Sequence, residues 1–136
     1  MKKALIFTMV FFLLIGMTSC KKLLGLDAES LLTREPWIGD KTELYKNGIF
    51  QNSHDIRDWT IEIIKKNHRY VTYHYGIINE KGVWAYDKKR KLLTFDSDLN
   101  VAYVYKIIKL NKENLIYEHT INDSGEEVTF KWYLNH

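Results

Sequence analysis

One cysteine, one proline and seven glycines are thinly spread through 136 residues. A lone cysteine excludes a disulfide within the chain, so the fold must stand on its hydrophobic core. The few glycines form no phosphate-cradling loop. Nor do they flank a serine in the Gly-x-Ser-x-Gly elbow that exposes a nucleophile, and Ser124 sits in an ordinary turn after Asp123. Charge of one sign is also lacking. The formal charge is +3, and setting aside Lys2 and Lys3 leaves 18 basic residues against 17 acidic ones. Nucleic-acid binding needs a basic face or stripe, so that class is excluded. The longest apolar run, Ala4 to Ile15 interrupted by Thr8, falls short of the roughly 20 residues needed to cross a bilayer. No internal repeat near 30 residues and no low-complexity tract is present.

What the chain does have begins at its N-terminus. Lys2 and Lys3 precede the apolar run, and Gly16-Met17-Thr18-Ser19 leads to Cys20. A short basic segment, an apolar segment and small residues before a cleavage point make a secretory signal peptide. Met17-Thr18-Ser19-Cys20 resembles a bacterial lipobox, with Met17 where leucine is usual. That resemblance implies cleavage before Cys20 and a diacylglyceryl group on its thiol. Several acyl chains hold a protein on a membrane almost permanently, at about 0.8 kcal/mol per buried methylene. Lys21, in place of the aspartate that retains enteric lipoproteins in the inner membrane, implies an outer-membrane destination. The expected division is a signal over 1–19, a lipidated tether over 20–35 and one domain over 36–136. About 100 residues suffice for a domain that folds unaided.

Within the tether, Asp27 is placed to cap a short helix over Ala28 to Thr33, with Leu31 and Leu32 as its apolar contacts. Pro36 stops it. Downstream, aromatic residues make up 14% of the chain, with nine tyrosines and four tryptophans, a composition that favours strands. Strands are expected over Trp37 to Lys46, Trp59 to Ile64, Tyr70 to Tyr75, Val83 to Tyr86 and Lys91 to Phe95. Ile49 to Asp58 reads as irregular, and Asn79 to Gly82 and Asp96 to Asp98 as turns. The last three strands alternate most clearly. Val101, Tyr103, Tyr105 and Ile107 share one face, as do Leu115, Tyr117, His119 and Ile121, and then Val128, Phe130, Trp132 and Leu134. Lys106, Glu118, Glu127 and Lys131 take the other face. This period of two with short polar turns predicts an all-β fold. About eight strands in an antiparallel up-and-down meander would close into a small barrel.

A lipobox signal, a short leucine helix, a tryptophan opening the first strand and a run of hairpins resemble the small bacterial lipocalin-like lipoproteins. Lys81-Gly82-Val83-Trp84-Ala85-Tyr86-Asp87 is similar to their glycine, aromatic strand and Tyr-Asp turn, and Leu92 to Phe95 and Ile107 to Asn111 also fit. Pro36-Trp37 stands where lipocalins carry Gly-x-Trp. The resemblance covers Trp37 to about Leu134 and implies a barrel able to hold a small apolar ligand, with no catalytic residue.

Few side chains carry candidate chemistry. His68 and His74 flank one strand, roughly 20 Å apart at about 3.3 Å per residue, too far to share an ion. His54, Asp55 and Asp58 can form a carboxylate–imidazole cluster or a solvated loop. Lys88-Lys89-Arg90-Lys91 is either a solvated hairpin tip or a contact for anionic headgroups. Tyr103, Tyr105, Tyr117, Phe130 and Trp132, with His119 beside Tyr117, make an aromatic stripe. Two readings follow. The rings fill the barrel as a packed core, or they line a small pocket in which tyrosine hydroxyls and His119 orient a ligand. No catalytic residue, metal or cofactor is expected. The expected partners are a membrane, through the lipid on Cys20, and either a small hydrophobic ligand or an envelope protein.

Overall fold

The computed structural model describes residues 27–136, and the signal and Cys20 lie outside the described residues. Among the described residues the one α-helix, α1 (Ala28–Leu32), is followed by nine strands: β1 (Trp37–Lys46), β2 (Ile49–Asp55), β3 (Trp59–Ile64), β4 (Arg69–His74), β5 (Ile77–Asp87), β6 (Leu92–Ser97), β7 (Ala102–Leu110), β8 (Asn114–Asp123) and β9 (Glu126–Asn135). β3 to β9 pair in sequence order, and β9 returns to β1, which also meets β3. Eight antiparallel strands thus close a barrel, and β2 is a ninth outside the ring. Closure removes the exposed edges of an open sheet.

β1 changes partner along its length. Trp37 and Ile38 pair with Ile61 and Thr60 of β3, whereas Lys41 to Lys46 pair with β2. On its other side β1 runs beside β9 from Ile38↔Asn135 to Lys46↔Val128. The seam with β3 is therefore short. Ile56, between β2 and β3, covers it: its N–H donates to the Asp40 carbonyl at 3.1 Å, and its own carbonyl accepts from the Trp59 N–H at 2.9 Å.

Three hairpins have two-residue turns with both residues at positive φ: Asn47-Gly48, Tyr75-Gly76 and Ser124-Gly125. These are the turns whose twist matches that of paired strands. All three lie at one end of the barrel, the mouth.

At the other end sits α1. The Asp27 carboxylate accepts from the Ser30 N–H at 3.0 Å and its hydroxyl at 2.8 Å, and the first of these holds its pKa below the ordinary value. Five residues cannot form a stable helix alone. This one is held by burial of Leu31 and Leu32, and by the Trp37 indole N–H, which donates to the Leu32 carbonyl at 3.0 Å. Leu32, Trp37, Ile63, Leu93 and Leu115 are each at most 2% exposed and pack this closed end.

Three expected features differ. Ile49 to Asp58, read as irregular, contains β2. Its residues are exposed throughout, so no apolar alternation marks it, and it is held by backbone pairing to β1. Asn79 to Gly82, read as a turn, lies within β5, and Asp96 and Ser97 belong to β6. In Asn79 to Gly82 the turn-forming residues serve a bulge and a close approach instead. Pairing of β4 with β5 slips between Thr72↔Glu80 and Tyr73↔Ile78, leaving Asn79 as the extra residue. A Cβ on Gly82 would stand 2.1 Å from the Asp96 carbonyl oxygen and 2.8 Å from the Tyr70 ring, so glycine is what lets Tyr70 lie across β5.

Candidate functional site

The closed end is filled, but the middle of the barrel is not. A cavity of about 360 Å³ lies above the packed layer, within the size range of small-molecule sites. Its walls come from alternate residues of the strands, whose side chains point inward at every second position. β7 contributes Tyr103 and Tyr105, β8 contributes Tyr117, and β9 contributes Trp132. Phe95 and Trp59 add rings from β6 and β3, and Ile56 covers the short seam.

These rings contact one another and fix the chamber's shape. Tyr105 is the hub. Its ring centroid lies 4.7 Å from that of Tyr117, 5.1 Å from Trp132 and 5.9 Å from Phe95. Such tilted and edge-on pairs are the favoured aromatic geometries. Burial pushes the phenols of Tyr105 and Tyr117 well above the ordinary tyrosine range, so both remain protonated donors at neutral pH. Neither hydroxyl bonds to another described residue, and both residues line the cavity.

The polar part of the lining comes from β4 and β5. Among the described residues Glu80 is the one charged side chain on the wall, with Asn79 beside it and Thr72 across the pairing. The Tyr70 hydroxyl donates to Glu80 Oε1 at 2.6 Å. Burial first, and this hydrogen bond second, push the Tyr70 phenol upward. No lysine, arginine or histidine forms an ion pair with Glu80 among the described residues.

Of the aromatic stripe read from the sequence, Tyr103, Tyr105, Tyr117 and Trp132 reach the cavity. His119 and Phe130 lie further toward the mouth. His119 Nδ1 donates to the Val104 carbonyl at 2.9 Å, and the Phe130 ring sits 6.1 Å from that of Trp132. His54, Asp55 and Asp58 do not converge. Asp55 is taken by Arg57, and Asp58 accepts from His74 Nε2 at 2.7 Å. His74 also stacks on Trp59 at 4.4 Å, forming a mouth-side group the sequence did not single out. His68 and His74 are at opposite ends of β4. Among the described residues no three His, Cys, Asp or Glu side chains converge to hold a metal ion.

Glu80 and Tyr70 were missed as site residues. A signal for them existed: Glu80, Gly82, Trp84 and Tyr86 keep one strand face in register, although Asn-Glu-Lys-Gly reads locally as a turn. Compared with known proteins, the sequence matches no family model and no curated relative.

Proposed function

We propose that the chain is a lipid-anchored protein of the cell envelope, carried on the outer membrane by Cys20, whose barrel binds a small, largely apolar ligand without catalysing a reaction. The observation that carries this reading is the aromatic cavity of about 360 Å³, space that a fully packed barrel interior would not leave. Most of the wall is apolar, with a few hydroxyls and one carboxylate to fix orientation, the usual make-up of a ligand site.

The ends of the barrel support the tether. α1, which falls within the tether segment, lies at the closed end, so the mouth points away from an anchoring membrane. Lys65, Lys66, Lys88, Lys89, Arg90 and Lys91 are exposed in the turns of that same end. Basic side chains near an anionic bilayer surface contribute about 1 kcal/mol each.

Native mass spectrometry of protein extracted from membranes tests the reading. A copurifying small molecule of a few hundred daltons is the expected result, and a chain that arrives empty and takes up no small amphiphile would overturn it. A second reading rests on the mouth. Tyr75 and Ile77 are 76% and 73% exposed there, and apolar groups presented together on loops mark protein contacts. In the same experiment a copurifying protein would favour an interaction module, as an accessory subunit or enzyme inhibitor.

A further inference from the structure

The nature of the cavity's one charge narrows the ligand further, and the inference rests on the cavity being a ligand site. We propose that the cavity takes an organic ammonium ion, whose apolar body fills the aromatic chamber and whose protonated nitrogen is met by Glu80. Tyr70 occupies Oε1 at 2.6 Å. Oε2 has no hydrogen-bond or ion-pair partner among the described residues. Half-buried Glu80 thus keeps one carboxylate oxygen available for a charge-assisted hydrogen bond from a cation.

The surrounding rings favour the same charge. Aromatic faces attract cations, most strongly where water is excluded. Tyr103, Tyr105, Phe95 and Trp132 line the same chamber as Glu80. Among the described residues no basic side chain lines it, so no countercharge on the wall would meet a fatty acid's carboxylate, and Glu80 would repel it. The Tyr105 and Tyr117 hydroxyls remain for polar groups elsewhere on the ligand. β5 is also built to present this carboxylate. The bulge at Asn79 adjoins it, and bulges re-aim side chains beside functional sites.

Three probes of nearly one shape test this on the full processed protein in detergent: 4-phenylbutylamine, 4-phenylbutanol and 4-phenylbutyrate, titrated by calorimetry. The amine is expected to bind at least about tenfold more tightly than the alcohol, with the carboxylate weakest. Glu80→Gln should abolish the amine's advantage over the alcohol. Equal binding of amine and alcohol by the unmodified protein would overturn the ammonium inference while leaving the cavity as a ligand site. Binding of none of the three would overturn both. The ranking on the unmodified protein stands as a test even if Glu80→Gln fails to fold.

Discussion

Tyr70 and Glu80 are joined by a 2.6 Å hydrogen bond inside the barrel, although ten residues and a hairpin separate them in the chain. Tyr70 is 1% exposed, so its hydroxyl has no ready substitute partner in water. Tyr70→Phe leaves a Glu80 oxygen unpaired and should cost about 1–3 kcal/mol in denaturant unfolding. Glu80→Gln in the same background should cost less than in the parent, because the two residues act as a pair. Additive effects in the double-mutant cycle would mean that the bond contributes no coupling.

A second cluster lies on the outer face of β1 and β9. Glu43 receives Lys41 Nζ on Oε1 at 2.7 Å, and the hydroxyls of Tyr45 and Tyr133 on Oε2, each at 2.7 Å. The Lys41 bond, then that of Tyr133, draws its pKa from 4.5 to about 2. A depressed carboxylate contributes stability that is fully present above its unfolded value and lost as pH falls through the folded one. The window is therefore pH 4.5 down to about 2. Lys41 is 41% exposed, so solvent screening reduces the contribution to about 1–2 kcal/mol. Urea unfolding of the parent should weaken more steeply across that window than unfolding of Glu43→Gln. Parallel curves would show that the cluster is energetically idle.

Tyr75 occupies the first position of a two-residue turn at φ +50°, where asparagine, aspartate or glycine is favoured. A bulky side chain in the left-handed region is strained. Tyr75→Asn should raise stability by about 1 kcal/mol, read from the denaturation midpoint. If the mouth contacts a protein, the same variant should lose that partner in pull-down from envelope extracts while remaining the more stable chain. Lower stability would mean that the tilted contact of the Tyr75 and His74 rings, with centroids 4.5 Å apart, outweighs the backbone strain.

The parts of this fold legible in the sequence are those where burial imposes a period. β7, β8 and β9 alternate because their inner side chains meet Tyr105 and its neighbours, and Tyr103, Tyr117 and Trp132 were readable as one inward face. α1 was readable from its Asp27 cap and the Leu31-Leu32 pair. β2 was not, because a fully exposed strand held by backbone bonds places no demand on its side chains. Glu80 was hidden for a different reason. Asn79 and Gly82 are turn formers by propensity, but here one is a bulge and the other makes room for a ring. Tertiary contact with Tyr70 decides that, and no local window contains it.

The basic turns of the closed end give a prediction about orientation. Lys88 and Lys89 are exposed in the β5–β6 turn, at the end where α1 and the tether arrive. A chain beginning after Cys20 should bind vesicles containing anionic lipid more tightly than zwitterionic ones, and added salt should weaken that binding. Lys88→Glu/Lys89→Glu should reduce the affinity at least about tenfold in cosedimentation. Unchanged binding would mean that these turns are solvated and carry no orienting contact.

Cys20 is the last residue to be tested, and its chemistry is separable from that of the barrel. Acylation at its thiol requires sulfur, so Cys20→Ser should carry no lipid label in cells fed a radioactive fatty acid. Cleavage by signal peptidase II depends on the lipid-modified cysteine, so the same variant should accumulate at precursor mass. The barrel is built from residues beyond Pro36, with α1 packed against it, so its stability should match that of the parent domain. An intact tryptophan emission spectrum from Trp37, Trp59, Trp84 and Trp132 would report this. Efficient release of a soluble, correctly shortened Cys20→Ser protein would sink the lipid anchor and leave an ordinary exported barrel. The ligand cavity would survive that outcome, because no described residue of its wall precedes Ile56.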